Sequence, residues 1–189
     1  MLCHDEQVSG LCGAHALNNL LQRPLYGPSD LAATARSIDQ DEQNLLIEQG
    51  ALPAALTSLP QQSEHMDSVA GCFSIEVLTR ALAQHGFQLL NINHESIVVT
   101  VSQAPEMEQG FIVHRGAHWF ALRKLCGSWW NLDSKLLSPQ YIAPGKLATF
   151  LKEQQSAQTL VFTVRGSPLP LPLPAVPPQP STVLCCTTI

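Results

Sequence analysis

The stretch that decides the fold is AHWFALRKLCGSWWNLD, residues 117–133. It contains two apolar, aromatic-rich runs, Ala117 to Leu125 and Ser128 to Leu132, separated only by Cys126 and Gly127. Two such runs joined by a tight glycine-containing step predict a β-hairpin. The hairpin sets His118 at the start of one strand and Asp133 at the end of the facing one. An aspartate so placed can accept a hydrogen bond from the far ring nitrogen of the histidine and fix its tautomer. Asn131, two residues earlier, is read as turned to the opposite face of its strand.

Working outward, Phe87 to Asn93, Phe111 to His114 and Thr159 to Val164 have the composition of further strands. Leu147, Phe150 and Leu151 suit a short helix from about Pro144 to Gln154. Ser74 precedes Ile75, Val77, Leu78, Ala81 and Leu82 at helical spacing, a helix that ends at Gly86. Gln61 to Gly71 is polar and reads as a loop. Nearer the N-terminus, Ala14, Leu17, Leu20 and Leu21 predict a helix from Cys12 to Leu21, stopped by Pro24, Gly27 and Pro28. Ser29 is placed to cap a second helix carrying Leu31, Ala32, Ala35 and Ile38, and Asn44 to Leu59 reads as a weaker third. Joined around Asp39 to Gln43, these two helices would form an arm standing off the body.

The character changes after Gly166, where SPLPLPLPAVPPQPST has proline at nearly every second position and favours an extended polyproline conformation. The sequence therefore divides into a packed body, residues 1–166, and a proline-rich tail, residues 167–189, expected to be disordered. With 189 residues, 45% hydrophobic and 13% charged, one domain with a substantial core is expected.

The formal net charge of −5 and the scattered Lys and Arg argue against nucleic-acid binding. Cys3, Cys12, Cys72, Cys126, Cys185 and Cys186 have no regular spacing and form no CxxC pair, so reduced thiols in the cytoplasm or nucleus are expected rather than a disulfide framework. The start of the chain does not read as a leader, and no run has membrane-spanning length without charge or proline. The histidines show no zinc-ligand spacing, so no metal is expected.

A thiol attacks a carbonyl well only as a thiolate, so the chemistry needs a cysteine with a base and a favourable local field. Cys12 falls at a helix N-terminus, where the helix dipole is expected to lower its pKa. His118 supplies a base, and Asp133 a group to orient it. Gln7 can offer its amide, with the Cys12 backbone N–H, to a developing oxyanion. Taken singly, each has an ordinary account: a core thiol, an ordinary histidine, a turn aspartate, a surface glutamine.

Three blocks taken together go further. HDEQVSGLCGAHALNNLLQ, MDSVAGCFSIEVLTRALAQHG and HWFALRKLCGSWWNLDSK occur in the order and spacing of the Josephin domain, a family of papain-like cysteine deubiquitinases, and the resemblance covers Cys3 to Gly166. It implies an α+β papain-like fold, a mainly antiparallel sheet packed on helices with a protruding helical hairpin that gates the cleft. The implied activity is thiol-dependent hydrolysis of the isopeptide bond after the C-terminal glycine of ubiquitin, without a cofactor. By position in the motifs, Cys12 matches the nucleophile, His118 the general base and acid, Asp133 the orienting residue and Gln7 the oxyanion-stabilising glutamine. The short family members also have NLDSK, whereas the Machado-Joseph disease protein has asparagine at the position of Asp133. His15, Asn18 and Asn19 look structural.

The resemblance further implies contacts to ubiquitin or polyubiquitin through Ile75 and Glu76 near the cleft and through Leu25 and Tyr26 on a second patch. The tryptophan of that second patch is replaced by His85. Trp119 is a candidate wall for the tunnel that takes the two-glycine tail. In the tail, Cys186 has the spacing of a prenylation signal with Cys185 as a palmitoylation partner, so membrane association is expected only if these cysteines are lipidated. The chain is expected to act as a monomer. Two rival readings are a non-catalytic ubiquitin-binding module and a thiol hydrolase for a ubiquitin-like modifier.

Overall fold

The computed structural model describes residues 4, 11–50, 63, 65–67, 72–154 and 159–172. The hairpin expected at 117–133 is present as strands β5, His118–Leu125, and β6, Ser128–Leu132. Cys126 (φ 50) and Gly127 (φ 79) form its turn, the two left-handed residues that a type I′ hairpin needs. Upstream lie α1, Cys12–Leu21; α2, Pro28–Glu48; the short strands β1, Met66–Asp67, and β2, Cys72–Phe73; α3, Ile75–Ala83; and β3, Phe87–Asn91. They are followed by α4, Val98–Gln103, a 3-10 turn at Pro105–Met107, and β4, Gly110–Arg115. After the hairpin come β7, Gln140–Ile142; α5, Leu147–Gln154; and β8, Thr159–Gly166.

Six strands form one sheet in the order β3-β8-β4-β5-β6-β7, and every pairing is antiparallel. This is the α+β architecture with a mainly antiparallel sheet expected from the sequence. β1, in the stretch read as a loop, makes a separate antiparallel ribbon with β2 just beyond that stretch. Sequence reading also passed over α4 and β7, a single turn and a half of helix and a three-residue edge strand with little periodicity to mark them.

Alternation along β5 explains why the strand is almost wholly buried. Trp119, Ala121 and Leu125 join a core with α1, α2 and α3, while Phe120 and Leu122 point to the other face, into a core with α4 and α5. Helices thus cover both faces of the sheet.

The arm requires correction. Residues 28–48 form one continuous helix rather than two helices joined at Asp39 to Gln43. That segment is polar but contains no glycine or proline, and polar side chains on a solvent-facing stripe do not end a helix; the Gln40 amide even donates to Asn44 one turn on, at 3.1 Å. Gly27, not Ser29, is the N-cap, with Pro28 in the first turn and the Gly27 N–H donating to Asp30 at 2.7 Å. Residues 51–62, where the return limb of the hairpin is expected, lie outside the described residues. α2 is tied to the body by Arg80–Asp41 and by His65, whose Nε2 lies 3.2 Å from Glu42 and whose Nδ1 lies 3.1 Å from the Ser74 hydroxyl.

The packed body also continues past Gly166. Leu169 is buried in the core shared with α1, its N–H donates to Gln109 at 2.8 Å, and Arg123 donates to the Pro170 carbonyl at 2.6 Å. The lipidation candidates Cys185 and Cys186 lie outside the described residues.

Gly166 has φ +116, and a Cβ there would fall 2.3 Å from the Gly86 carbonyl oxygen. Gly166→Ala is expected to lower stability by roughly 2–4 kcal/mol in urea denaturation, through strain and overlap with backbone. A change below about 0.5 kcal/mol, the range of ordinary surface substitutions, would contradict the close approach.

Candidate active site

Helix α1 packs against β5, and side chains fix where along the strand it lies. Asn19, on the buried side of α1, donates to the carbonyl of Leu132 at 2.9 Å, one residue before Asp133. Near the C-terminal end of the helix, the buried Arg123 donates to the Leu20 carbonyl, supplying a cation where the helix dipole is negative. Asn18 closes the following turn: its Oδ1 accepts from the N–H groups of Leu25 and Tyr26, and its Nδ2 donates to the Tyr26 carbonyl, all at 2.9 Å. The asparagines read as structural therefore hold the helix that begins with Cys12.

Cys12 is the first residue of α1, buried at 2% exposure. Its thiol points to the carbonyl of Ala117 at 3.9 Å, the residue immediately before His118. Gly116 (φ 60) makes the β4–β5 turn, and Arg115 pairs with His118 across it.

His118 and Asp133 are both buried, and His118 Nε2 lies 2.6 Å from Asp133 Oδ1. The second carboxylate oxygen lies 4.0 Å from the Arg115 guanidinium, and Oδ1 also accepts the Lys135 N–H at 2.9 Å. Burial pushes the Asp133 carboxyl up, but the hydrogen bonds from His118 and Lys135 and the charges of His118 and Arg115 bring it below its ordinary value. Asp133 is then ionised and can only accept, so His118 donates to it from Nε2, and in the neutral imidazole Nδ1 is the nitrogen left to accept a proton. Arg115 is held over the Phe120 ring, 5.3 Å from its centroid, by a 3.0 Å hydrogen bond to Gln154.

Asn131 does not face away. It is the cross-strand partner of Leu122, which shares a strand face with His118, and its Oδ1 accepts the Asp133 N–H at 3.1 Å. Residues two apart in a strand share a face, and Asn131 thus helps hold the backbone that presents Asp133.

The thiol differs from expectation. Burial raises the pKa of Cys12; the Trp119 backbone hydrogen bond opposes this, the neighbouring Cys72 thiol adds to it, and the Gly13 N–H of α1 lowers it only slightly, leaving the net shift upward. Cys72 sits on β2, and its thiol donates to the same Ala117 carbonyl at 3.5 Å. No motif singled it out, because only the fold brings it beside Cys12.

The remaining site residues fall in different settings. Gln7 lies outside the described residues. Ile75 is half-buried and Glu76 exposed at the start of α3, lining a shallow groove of about 520 Å³ with Ile38, Thr79, Arg80 and Ala83. Trp119 is only 3% exposed; its indole N–H donates to the Phe73 carbonyl at 2.9 Å and its ring stacks on His114 at 4.1 Å, so it belongs to the core that supports the site. Leu25 is 42% exposed, whereas Tyr26 is buried, donates its hydroxyl to Ala81 at 2.8 Å and meets His85 edge-on.

Among the described residues, one group could offer a metal three ligand atoms, Asp39, Glu42 and His65. It includes none of Cys12, His118 and Asp133, and His65 Nε2 there lies 3.2 Å from Glu42 and 4.0 Å from Asp39, between α2 and the β1 segment.

A protein-family model described as Josephin matches residues 7–165. An ataxin-3 homolog of Arabidopsis thaliana is 36% identical over 168 residues, covering 88% of this chain and 60% of that protein. An ataxin-3-like protein of Homo sapiens is 37% identical over 164 residues, covering 86% of this chain and 46% of its own length. Ataxin-3 of Homo sapiens is 36% identical over 164 residues, with 86% and 45% covered. The chain spans about half the length of the curated relatives it matches.

The raised thiol gives a measurable expectation. Alkylation of Cys12 by iodoacetamide, followed by peptide mass, should keep accelerating as pH rises through and beyond the usual thiol range of about 8.5. A plateau already reached near neutral pH would mean a resting thiolate and would contradict the geometry described above.

Proposed function

The chain belongs to the Josephin family, and from that premise we propose that it is a thiol-dependent deubiquitinase that hydrolyses the isopeptide bond after the C-terminal glycine of ubiquitin. The observation that carries this reading is the buried His118–Asp133 pair at 2.6 Å, set directly after the carbonyl that faces the Cys12 thiol. A hydrogen-bonded base and orienting carboxylate beside a buried thiol at a helix head have the makeup of a cysteine hydrolase.

In the proposed reaction His118 Nδ1 takes the proton of Cys12 as Sγ attacks the glycine carbonyl. The Cys12 backbone N–H and the Gln7 amide stabilise the oxyanion. The imidazolium, stabilised by Asp133, then protonates the departing lysine amine, and His118 activates water to hydrolyse the thioester. Burial holds the resting thiol above its ordinary pKa, so His118 has to take its proton for the attack to occur. We assign the body of ubiquitin to the Ile75 and Glu76 groove, and Leu25 to a second contact made without Tyr26, whose hydroxyl and ring are already engaged.

The buried, raised thiol is also the observation that favours the rival reading, a ubiquitin-binding module without catalysis. Cleavage of isopeptide-linked di-ubiquitin, resolved by gel, separates the two. The wild-type chain should release monomer, Cys12→Ala should release none, and His118→Ala should slow release by about 10²–10⁴-fold. Asp133→Asn should retain more activity than Asp133→Ala, since an amide can still orient the imidazole. Binding without cleavage by the intact protein would establish the module, and turnover of a ubiquitin-like modifier alone would redirect the substrate.

A further inference from the structure

Cys72 is not needed for the hydrolysis, yet the fold brings its sulfur to the nucleophile. Both thiols donate to one oxygen, the Ala117 carbonyl, Cys12 at 3.9 Å and Cys72 at 3.5 Å. The segments that carry them also pack on each other: a Cβ on Gly13, the residue after Cys12, would lie 3.5 Å from the ring and 3.7 Å from the Cβ of Phe73, the residue after Cys72. Two further contacts hold this register. The Phe73 carbonyl accepts the Trp119 indole N–H at 2.9 Å, and the Ser74 N–H donates to the His65 carbonyl at 2.9 Å. Cys12 is buried, whereas Cys72 is only partly covered and offers a route from solvent to the pair.

We propose that Cys12 and Cys72 form a reversible redox pair, in which a peroxide converts the two thiols to an intramolecular disulfide that takes the nucleophile out of action. In the first step a thiolate attacks one peroxide oxygen, the O–O bond breaks, and a sulfenic acid forms with release of water or alcohol after proton uptake. In the second, the other sulfur attacks the sulfenic sulfur, the S–O bond breaks, and hydroxide leaves as water by taking the attacking thiol's proton. Two electrons pass from the two sulfurs to the peroxide, and the product is the same whichever sulfur reacts first. A thiol reductant returns both electrons. The disulfide shields Cys12 from sulfinic acid, from which thiols alone cannot recover it. The chemistry of the pair stands on its own, while its consequence for activity rests on the deubiquitinase reading.

The test treats the full reduced chain with hydrogen peroxide, blocks remaining thiols, and maps peptides by mass. The expected product is a Cys12–Cys72 linked peptide, lighter than the two separate peptides by about 2 Da and separated by dithiothreitol. Activity is compared with that of the same preparation before oxidation. Wild type should recover most of its starting rate on reduction, and Cys72→Ser should recover at least about fivefold less, with Cys12 found as sulfinic acid. Cys12 oxidised to sulfinic acid in wild type with Cys72 still reduced, or Cys72 linked to a different cysteine, would overturn the proposal. A linked peptide from a chain that never cleaves ubiquitin when fully reduced would uphold the redox pair and defeat the deubiquitinase reading instead.

Discussion

Helix α1 lies on strand β5, and three side-chain contacts to backbone carbonyls determine where. Cys12 meets Ala117, Asn19 meets Leu132, and Arg123 meets Leu20. The first two carbonyls belong to the residues that immediately precede His118 and Asp133. One helix-on-strand packing therefore brings the thiol to the residue before His118 and holds the backbone before Asp133, though the three residues come from distant parts of the chain. Arg123 is the least ordinary of the three. It is 2% exposed and its pKa is pulled down to about 10 by burial, yet at neutral pH it remains charged, held by carbonyl dipoles from Leu20 and Pro170. The same side chain thereby caps α1 and fastens the start of the proline-rich segment.

The electrostatics of the site are divided. The His118–Asp133 end is polarised in advance, with the carboxylate supported by Lys135 and Arg115 and its backbone N–H held by Asn131. The thiol end is held neutral by burial and by a second thiol. Such surroundings favour the protonated form of the thiol. Cys72 stands beside the thiol on the β1–β2 ribbon, which His65 ties to α2.

Much of this was legible in the sequence where local chemistry settles local structure. The left-handed pair Cys126 and Gly127 marked the hairpin, and Ala14, Leu17, Leu20 and Leu21 marked α1, as the structure has them. Elsewhere the reading went astray. The polar run Asp39 to Gln43 was taken for a break, although nothing in it prevents a helix from continuing. Cys12 was expected to gain from the helix N-terminus, but burial outweighs the single N–H that the helix provides. Asn131 was assigned the wrong face, and Trp119, which motif position offered as a tunnel wall, is consumed by the core. Cys72, Arg115 and Arg123 carried no signal because their roles exist only through partners distant in the chain.

The most direct measurement is the reaction of the purified, reduced chain with ubiquitin whose C-terminus carries a thiol-reactive group, followed by intact mass and peptide mapping. The account predicts one ubiquitin adduct, attached at Cys12 and absent from Cys12→Ala. An adduct at Cys72 or another cysteine, or no adduct from protein shown to be folded, would contradict it.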